Sequence, residues 1–279
     1  MLSASLLAAL GAHASNPLIP DIGMADPHMH VFPSNPSVVQ LYSTHDCNKG
    51  RSGPCLREQP AHGGVGAEAP DFRMIDWWVW SSGDLVNWEL ETKVMPSSIK
   101  WDDVNASQEC WATDAASFPN GTTAFYLSVG PKQIGVVTGP TPHGPFSDPL
   151  GKPLIPIGMV PTYSRDPTVL MDDDGSAYLC FGTFNYYIAK LNPCAPPRPT
   201  AAFAHWLAPW QHAAFFWIVT AVPGASRDLI SLAEKPRGVK ILKEQHRDDK
   251  PFMHKHDGRY YLSWGCWVSC SAGCWGGLY

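Results

Sequence analysis

Four aspartates of this chain are spaced as acid–base chemistry would require. Three head segments of one template: Asp114 runs on to Tyr126-Leu127-Ser128-Val129-Gly130, Asp166 to Tyr178-Leu179-Cys180-Phe181-Gly182, and Asp249 to Tyr261-Leu262-Ser263-Trp264-Gly265. In each, the aspartate precedes the leucine by thirteen residues and the glycine by sixteen. Asp26 opens a looser copy, and Asp26 and Asp166 each precede a proline. Proline biases its predecessor toward extended backbone, so both acids are expected at strand starts. Carboxylates that converge there push their pKa values apart, leaving one acid and one base at neutral pH. Inverting glycoside hydrolysis uses such a pair, roughly 6.5–9.5 Å apart so that a water fits between them.

Two other groupings carry alternative chemistry. Asp26-Pro27-His28-Met29-His30 would place three polar side chains on one face at strand period, and His-x-His is a zinc pair in metal-dependent amidohydrolases. Those enzymes need strands alternating with helices, and helical periodicity is almost absent after residue 15. Asp172-Asp173-Asp174-Gly175 lacks the spacing of a calcium loop and reads as a solvated hairpin turn.

The elements that must position these acids are strands. Asn120-Gly121, Asp174-Gly175 and Asp257-Gly258 each sit between apolar runs, a repeated hairpin signal. Ala25–Val31, a turn at Pro33–Pro36 and Val38–Tyr42 form the first copy. Each hairpin is followed by a second strand–turn–strand motif, clearest in Trp78–Ser82, Gly83-Asp84-Leu85 and Asn87-Trp88-Glu89. Units of about four strands with an acid at the inner strand are the pattern of a β-propeller. The composition agrees: 12 Trp and 11 Phe favour strands, 27 Pro and 24 Gly favour turns, and 44% hydrophobic residues allow a large core. A net charge of −5 without a basic stretch argues against nucleic acid.

Residues 1–14 read as a signal peptide ending in Ala12-His13-Ala14, which predicts a secreted, extracellular protein. The sequons at Asn105 and Asn120 are compatible with export. Residues 15–279 then form one domain interrupted at 47–70 and 193–227, with an irregular tail at 266–279. Removing 193–227 joins Leu191-Asn192 to Asp228-Leu229 and restores the motif of Ser82-Gly83-Asp84-Leu85, so this stretch reads as an insertion, translated non-coding sequence being one source. The uncharged run 201–222 has the length of a membrane span, but two histidines, a glutamine and Pro209 weaken that reading. The eight cysteines, mostly in the interruptions and the tail, define no disulfide framework.

Asn16-Pro17 to Ala25-Asp26-Pro27, Trp111-Ala112-Thr113-Asp114, Arg165-Asp166-Pro167 with Asp173-Asp174-Gly175, and Asp249-Lys250-Pro251 with Lys255–Tyr261 occur in the order found in glycoside hydrolase family 43, which the chain resembles over about 200 of its residues. The resemblance implies an all-β, five-bladed propeller, here with about three and a half blades. It implies a hydrolase that removes arabinose or xylose from plant polysaccharides or oligosaccharides with inversion, and carbohydrate as partner. Asp26 would be the general base, Asp166 the carboxylate that tunes and orients the acid, and Trp111 the aromatic beside the bound sugar. Asp249 stands where the family has a glutamate acid, one methylene longer; Glu244 ranks second. No cofactor is required, and the calcium known in the family has no assigned ligands here. A monomer without membrane contact is expected. The alternatives are a catalytically inactive carbohydrate-binding propeller or a defective gene-model product of such an enzyme.

Overall fold

A computed structural model describes residues 18–19, 22–46, 74–101, 109–118, 121–130, 132–192, 229–241 and 250–265. The proposed signal peptide, Asp249, Glu244, Asn120, the stretch 193–227 and the tail 266–279 all lie outside these residues.

The described chain is all-β apart from one 3₁₀ turn at Pro96–Ser98. Strands β1 (Gly23–Val31), β2 (Val39–Asp46), β3 (Met74–Ser82) and β4 (Glu89–Val94) form an antiparallel meander in sequence order. Strands β5 (Cys110–Ser117), β6 (Thr123–Val129) and β7 (Gln133–Gly139) form the second sheet, whose outer edge is extended by bridges from Thr138 to Ser147 and from Ile134 to Ile155. The third contains β8 (Thr168–Met171), β9 (Ala177–Phe181), β10 (Tyr187–Lys190) and β11 (Arg237–Gly238). A hairpin of β12 (Phe252–His256) and β13 (Arg259–Ser263) follows.

The core lies between sheets rather than within any one of them. Side chains alternate across a strand, and β6, buried along its whole length, uses both faces. Phe125, Leu127 and Val129 pack with Tyr42, Trp77 and Val79 of the first sheet. Ala124 and Tyr126 pack with Val169, Leu179 and Phe181 of the third. In β3 the same alternation sends Trp77 and Val79 to the second sheet and Trp78 and Trp80 to the opposite face, against Leu41. Cys180 and Tyr186 meet Met253 and Trp264 beneath the last hairpin. Successive antiparallel sheets of three or four strands joined face to face in this way are propeller blades.

The expected hairpins form, with one difference in detail. Asp257-Gly258 makes the two-residue turn, with φ of 48° and 71°, pairing His256 with Arg259. Asp174-Gly175 instead lies in a longer loop closed by Asp172 N–H on Ser176 O, with Ser176 N–H on the Asp174 carboxylate. The turn after Ser82 is held by Asp84, whose Oδ1 accepts Val86 and Asn87 N–H. The chain on either side of 193–228 comes together: Leu191 bridges Leu232, Asn192 N–H donates to Ser231 O, and Ala233 N–H to Lys190 O.

The spacing repeat is not a repeat of register. Ser117 pairs with Thr123 and Met171 with Ala177, so both loops enclose five residues. Counted back from those pairs, Asp114 is opposite Tyr126 and its structural counterpart is Thr168, opposite Cys180. Asp166 therefore lies two residues before the position that Asp114 occupies in its own blade.

Candidate active site

The inner strands β1, β5, β8 and β12 pack in succession around one region. Asp26 lies in β1, where the register with β2 shifts between Ala25 and His28. This bulge, made by Asp26-Pro27, re-aims the side chain, as bulges beside functional sites do. Asp166 lies just before β8 and is buried. The conformation of both acids corrects the expectation from their prolines. Rather than extended, Asp26 has φ of 49° and Asp166 of 57°. Aspartate tolerates this left-handed region better than most residues, and bulge and turn geometry here override the pre-proline bias. Such conformations concentrate at sites where surrounding contacts dictate the backbone.

Those contacts are present. Asp166 N–H donates to Ser128 Oγ at 2.8 Å, and its Oδ2 accepts Thr183 Oγ1–H at 2.8 Å. Arg165 Nε donates to Thr183 Oγ1 at 2.7 Å and lies 3.6 Å from Asp166 Oδ2. Gly182 N–H holds the Arg165 carbonyl at 2.7 Å. Gly182 has φ of 122°, and a Cβ there would fall 2.2 Å from the Asn185 carbonyl oxygen, so only glycine fits. The amine of Lys250, the residue after Asp249 in sequence, donates to the Asp26 carbonyl.

Trp111 is half-buried in β5. Its carbonyl accepts Trp77 Nε1–H at 2.8 Å, and the Arg165 guanidinium sits 4.9 Å from its ring centroid. Trp111 is thereby tied to the segment carrying Asp166 through a cation–π contact.

Sequence reasoning missed the group that connects these elements. Asp114, which heads one copy of the template and is given no role by the family resemblance, is fully buried at their junction. Its Oδ1 lies 2.6 Å from both His28 Nδ1 and His30 Nε2 and accepts Ala115 N–H at 2.7 Å; its Oδ2 accepts Val169 N–H at 2.7 Å. Burial alone would raise the Asp114 pKa, but the two histidines outweigh it and hold the carboxyl well below the usual carboxylate range. Burial dominates at His28 and lowers its pKa, while burial and then the Asp114 charge raise that of Tyr42. One carboxylate thus joins a strand two residues past Asp26 to a strand three residues past Asp166. The signal available in the sequence was His-x-His beside Asp-Pro; its partner lies 84 residues away.

The acidic loop 172–174 is a hairpin turn, as expected, but it also binds across to the last hairpin. Lys255 Nζ lies 2.5 Å from Asp172 Oδ1 and 2.9 Å from Asp173 Oδ2, and Tyr260 O–H donates to Asp172 at 2.5 Å. A lysine seated on these carboxylates opposes a calcium ion at this loop.

Comparison with known proteins adds a direct likeness. The sequence model of Glycosyl hydrolases family 43 matches residues 68–197. The chain is 29% identical over 268 residues to a xylosidase/arabinosidase of Bacteroides ovatus, covering 88% of this chain and 71% of that protein. It is 28% identical over 277 residues to xylosidase/arabinosidase 43A of Humicola insolens, covering 89% and 74%. Among solved structures, a GH43_1 enzyme of Xanthomonas citri in complex with xylotriose superposes with a TM-score of 0.56 at 25% identity, over 88% of this chain and 68% of that one.

Proposed function

The chain belongs to glycosyl hydrolase family 43, and on that premise we propose that it hydrolyses arabinose- or xylose-containing polysaccharides or oligosaccharides with inversion. The observation that carries the assignment of residues is the pairing of two Asp-Pro acids in left-handed backbone, each beside a strand bonded to Asp114. Asp26 acts as general base, taking a proton from the water that attacks the anomeric carbon. Asp249 protonates the departing oxygen. Asp166, held by Ser128, Thr183 and Arg165, orients the acid and keeps its proton in place through its own charge. Trp111, braced by Arg165, lies beside the sugar. The substrate class rests on the xylosidase and arabinosidase relatives. Export rests on the apolar run and cleavage pattern within residues 1–14, and N-terminal sequencing of protein from the medium should begin at Ser15.

Hydrolysis of nitrophenyl α-arabinofuranoside and β-xyloside tests the reading. Wild type should turn over at least one of them, and Asp26→Asn should lose about 10²–10⁴-fold in kcat with little change in KM. Sugar binding by wild type without hydrolysis would instead identify a carbohydrate-binding propeller, the reading that the shorter Asp249 favours.

A further inference from the structure

The His-x-His pair of β1 has no role in the acid–base scheme, yet its side chains converge. We propose that His28 Nδ1, His30 Nε2 and Asp114 Oδ1 form a binding site for a zinc-class divalent cation, independent of whether the chain turns over sugar.

The three donor atoms lie within 4.8 Å of one another. His28 is 6% exposed, and its Nδ1 faces Asp114 Oδ1 at 2.6 Å in a poorly aligned ion-pair contact. At that distance the fault is one of direction, not reach. A buried polar nitrogen without a well-aligned partner is destabilising. A cation accepting its lone pair removes that cost. Oδ1 is also crowded, with two imidazole nitrogens at 2.6 Å and the Ala115 N–H at 2.7 Å around one oxygen. A metal would gather these lone pairs in place of the imidazole protons, which move to the other ring nitrogens or to solvent.

The surroundings are built to hold the ligands. Val169 N–H fixes the second carboxylate oxygen at 2.7 Å, the kind of outer hydrogen bond that orients metal ligands. His30 stacks on Phe32 with centroids 5.2 Å apart, and His28 meets the edge of Phe252 at 5.5 Å. Zinc bonds nitrogen and oxygen at about 2.0–2.2 Å in tetrahedral sites, which would spread the 2.6 Å contacts to about 3.3 Å. Side-chain shifts of under about 1 Å achieve this.

The donor set also selects the ion. Two imidazoles and one carboxylate suit zinc, cobalt or nickel, whereas calcium requires six to eight oxygens. Three protein ligands leave a fourth position for water.

Full-length protein stripped with chelator and dialysed against zinc should retain one equivalent per chain by elemental analysis. Cobalt should give the visible absorption of a four-coordinate N/O site, without the thiolate bands that binding to cysteines would add. His30→Ala and Asp114→Asn, each checked for folding by near-UV circular dichroism, should weaken zinc by more than the roughly 10–100-fold that loss of an outer hydrogen-bond partner costs. Imidazole nitrogen NMR on wild type needs no variant: two ring nitrogens, one δ1 and one ε2, should shift together on adding zinc. Absence of those shifts at saturating zinc overturns the proposal, as does equal zinc affinity in wild type and both folded variants.

Discussion

Asp114 concentrates more consequence in one side chain than any other described residue. It accepts two backbone N–H groups and faces two imidazoles from full burial, so its truncation strands several polar groups at once. Asp114→Ala should destabilise the protein by about 3 kcal/mol or more, measured as a fall in the urea midpoint. A loss below about 1 kcal/mol would show that water replaces the carboxylate. The sequence made Asp26 and Asp166 legible because an Asp-Pro step is a local pattern. It could not reveal Asp114, because its role is written in contacts to His28, His30 and Val169 that span 84 and 55 residues. The left-handed backbone of both Asp-Pro acids was hidden for the same reason: local sterics argue for extended chain, and only the bulge opposite Tyr42 to Thr44 and the grip of Ser128 and Gly182 reverse it.

Among the elements, the last hairpin is attached to its neighbour by an apolar contact of Met253 and Trp264 and by the Asp172–Lys255–Tyr260 group. The hydrogen bond from Lys255, followed by that from Tyr260, lowers the Asp172 pKa from 3.8 to about 2. A carboxyl whose folded pKa is depressed adds stability that is complete above its unfolded value and disappears as pH falls through its folded value. The hairpin contact should therefore hold at pH 5, weaken between about pH 4 and 2, and lose this contribution below that. Trp264 fluorescence during acid titration checks it. Asp172→Asn should be less stable than wild type at pH 7 and converge with it below about pH 2; a constant gap across the titration would exclude the ionic origin. Strand number and hairpin positions were readable from apolar alternation and Asx-Gly pairs. Register was not: Asp114 and Asp166 share a sequence spacing to a leucine and a glycine, yet counted back from two loops of equal length they lie two residues out of step.

For the molecule as a whole, cohesion between blades is the quantity to measure. Cys110 and Cys180 are buried at two different inter-blade contacts, and burial pushes the Cys180 pKa up to about 12. Neither should react with a thiol reagent in the native state. In sub-denaturing urea, peptide mass spectrometry should find Cys180, beneath the hairpin, labelled before Cys110, which lies between two larger sheets. Labelling at equal rates would mean that the blades open together. A second test concerns the 36 residues between Asn192 and Leu229. Replacing them with about six Gly/Ser residues should leave the fold intact and favour it by roughly 1.6 kcal/mol through the shorter closure. Loss of soluble, cooperatively unfolding protein would show that the stretch has structural contacts of its own.

The meeting of Leu191 with Leu232 and of Asn192 with Ser231 carries one more implication. Because the chain leaves and re-enters the third blade at nearly one point, that point is a socket. A foreign domain whose termini lie close together could be grafted there without altering the path of any described strand. A fluorescent or affinity module placed between Asn192 and Leu229 would then travel with the blade that carries Asp166, while both ends of the chain stay free for other uses.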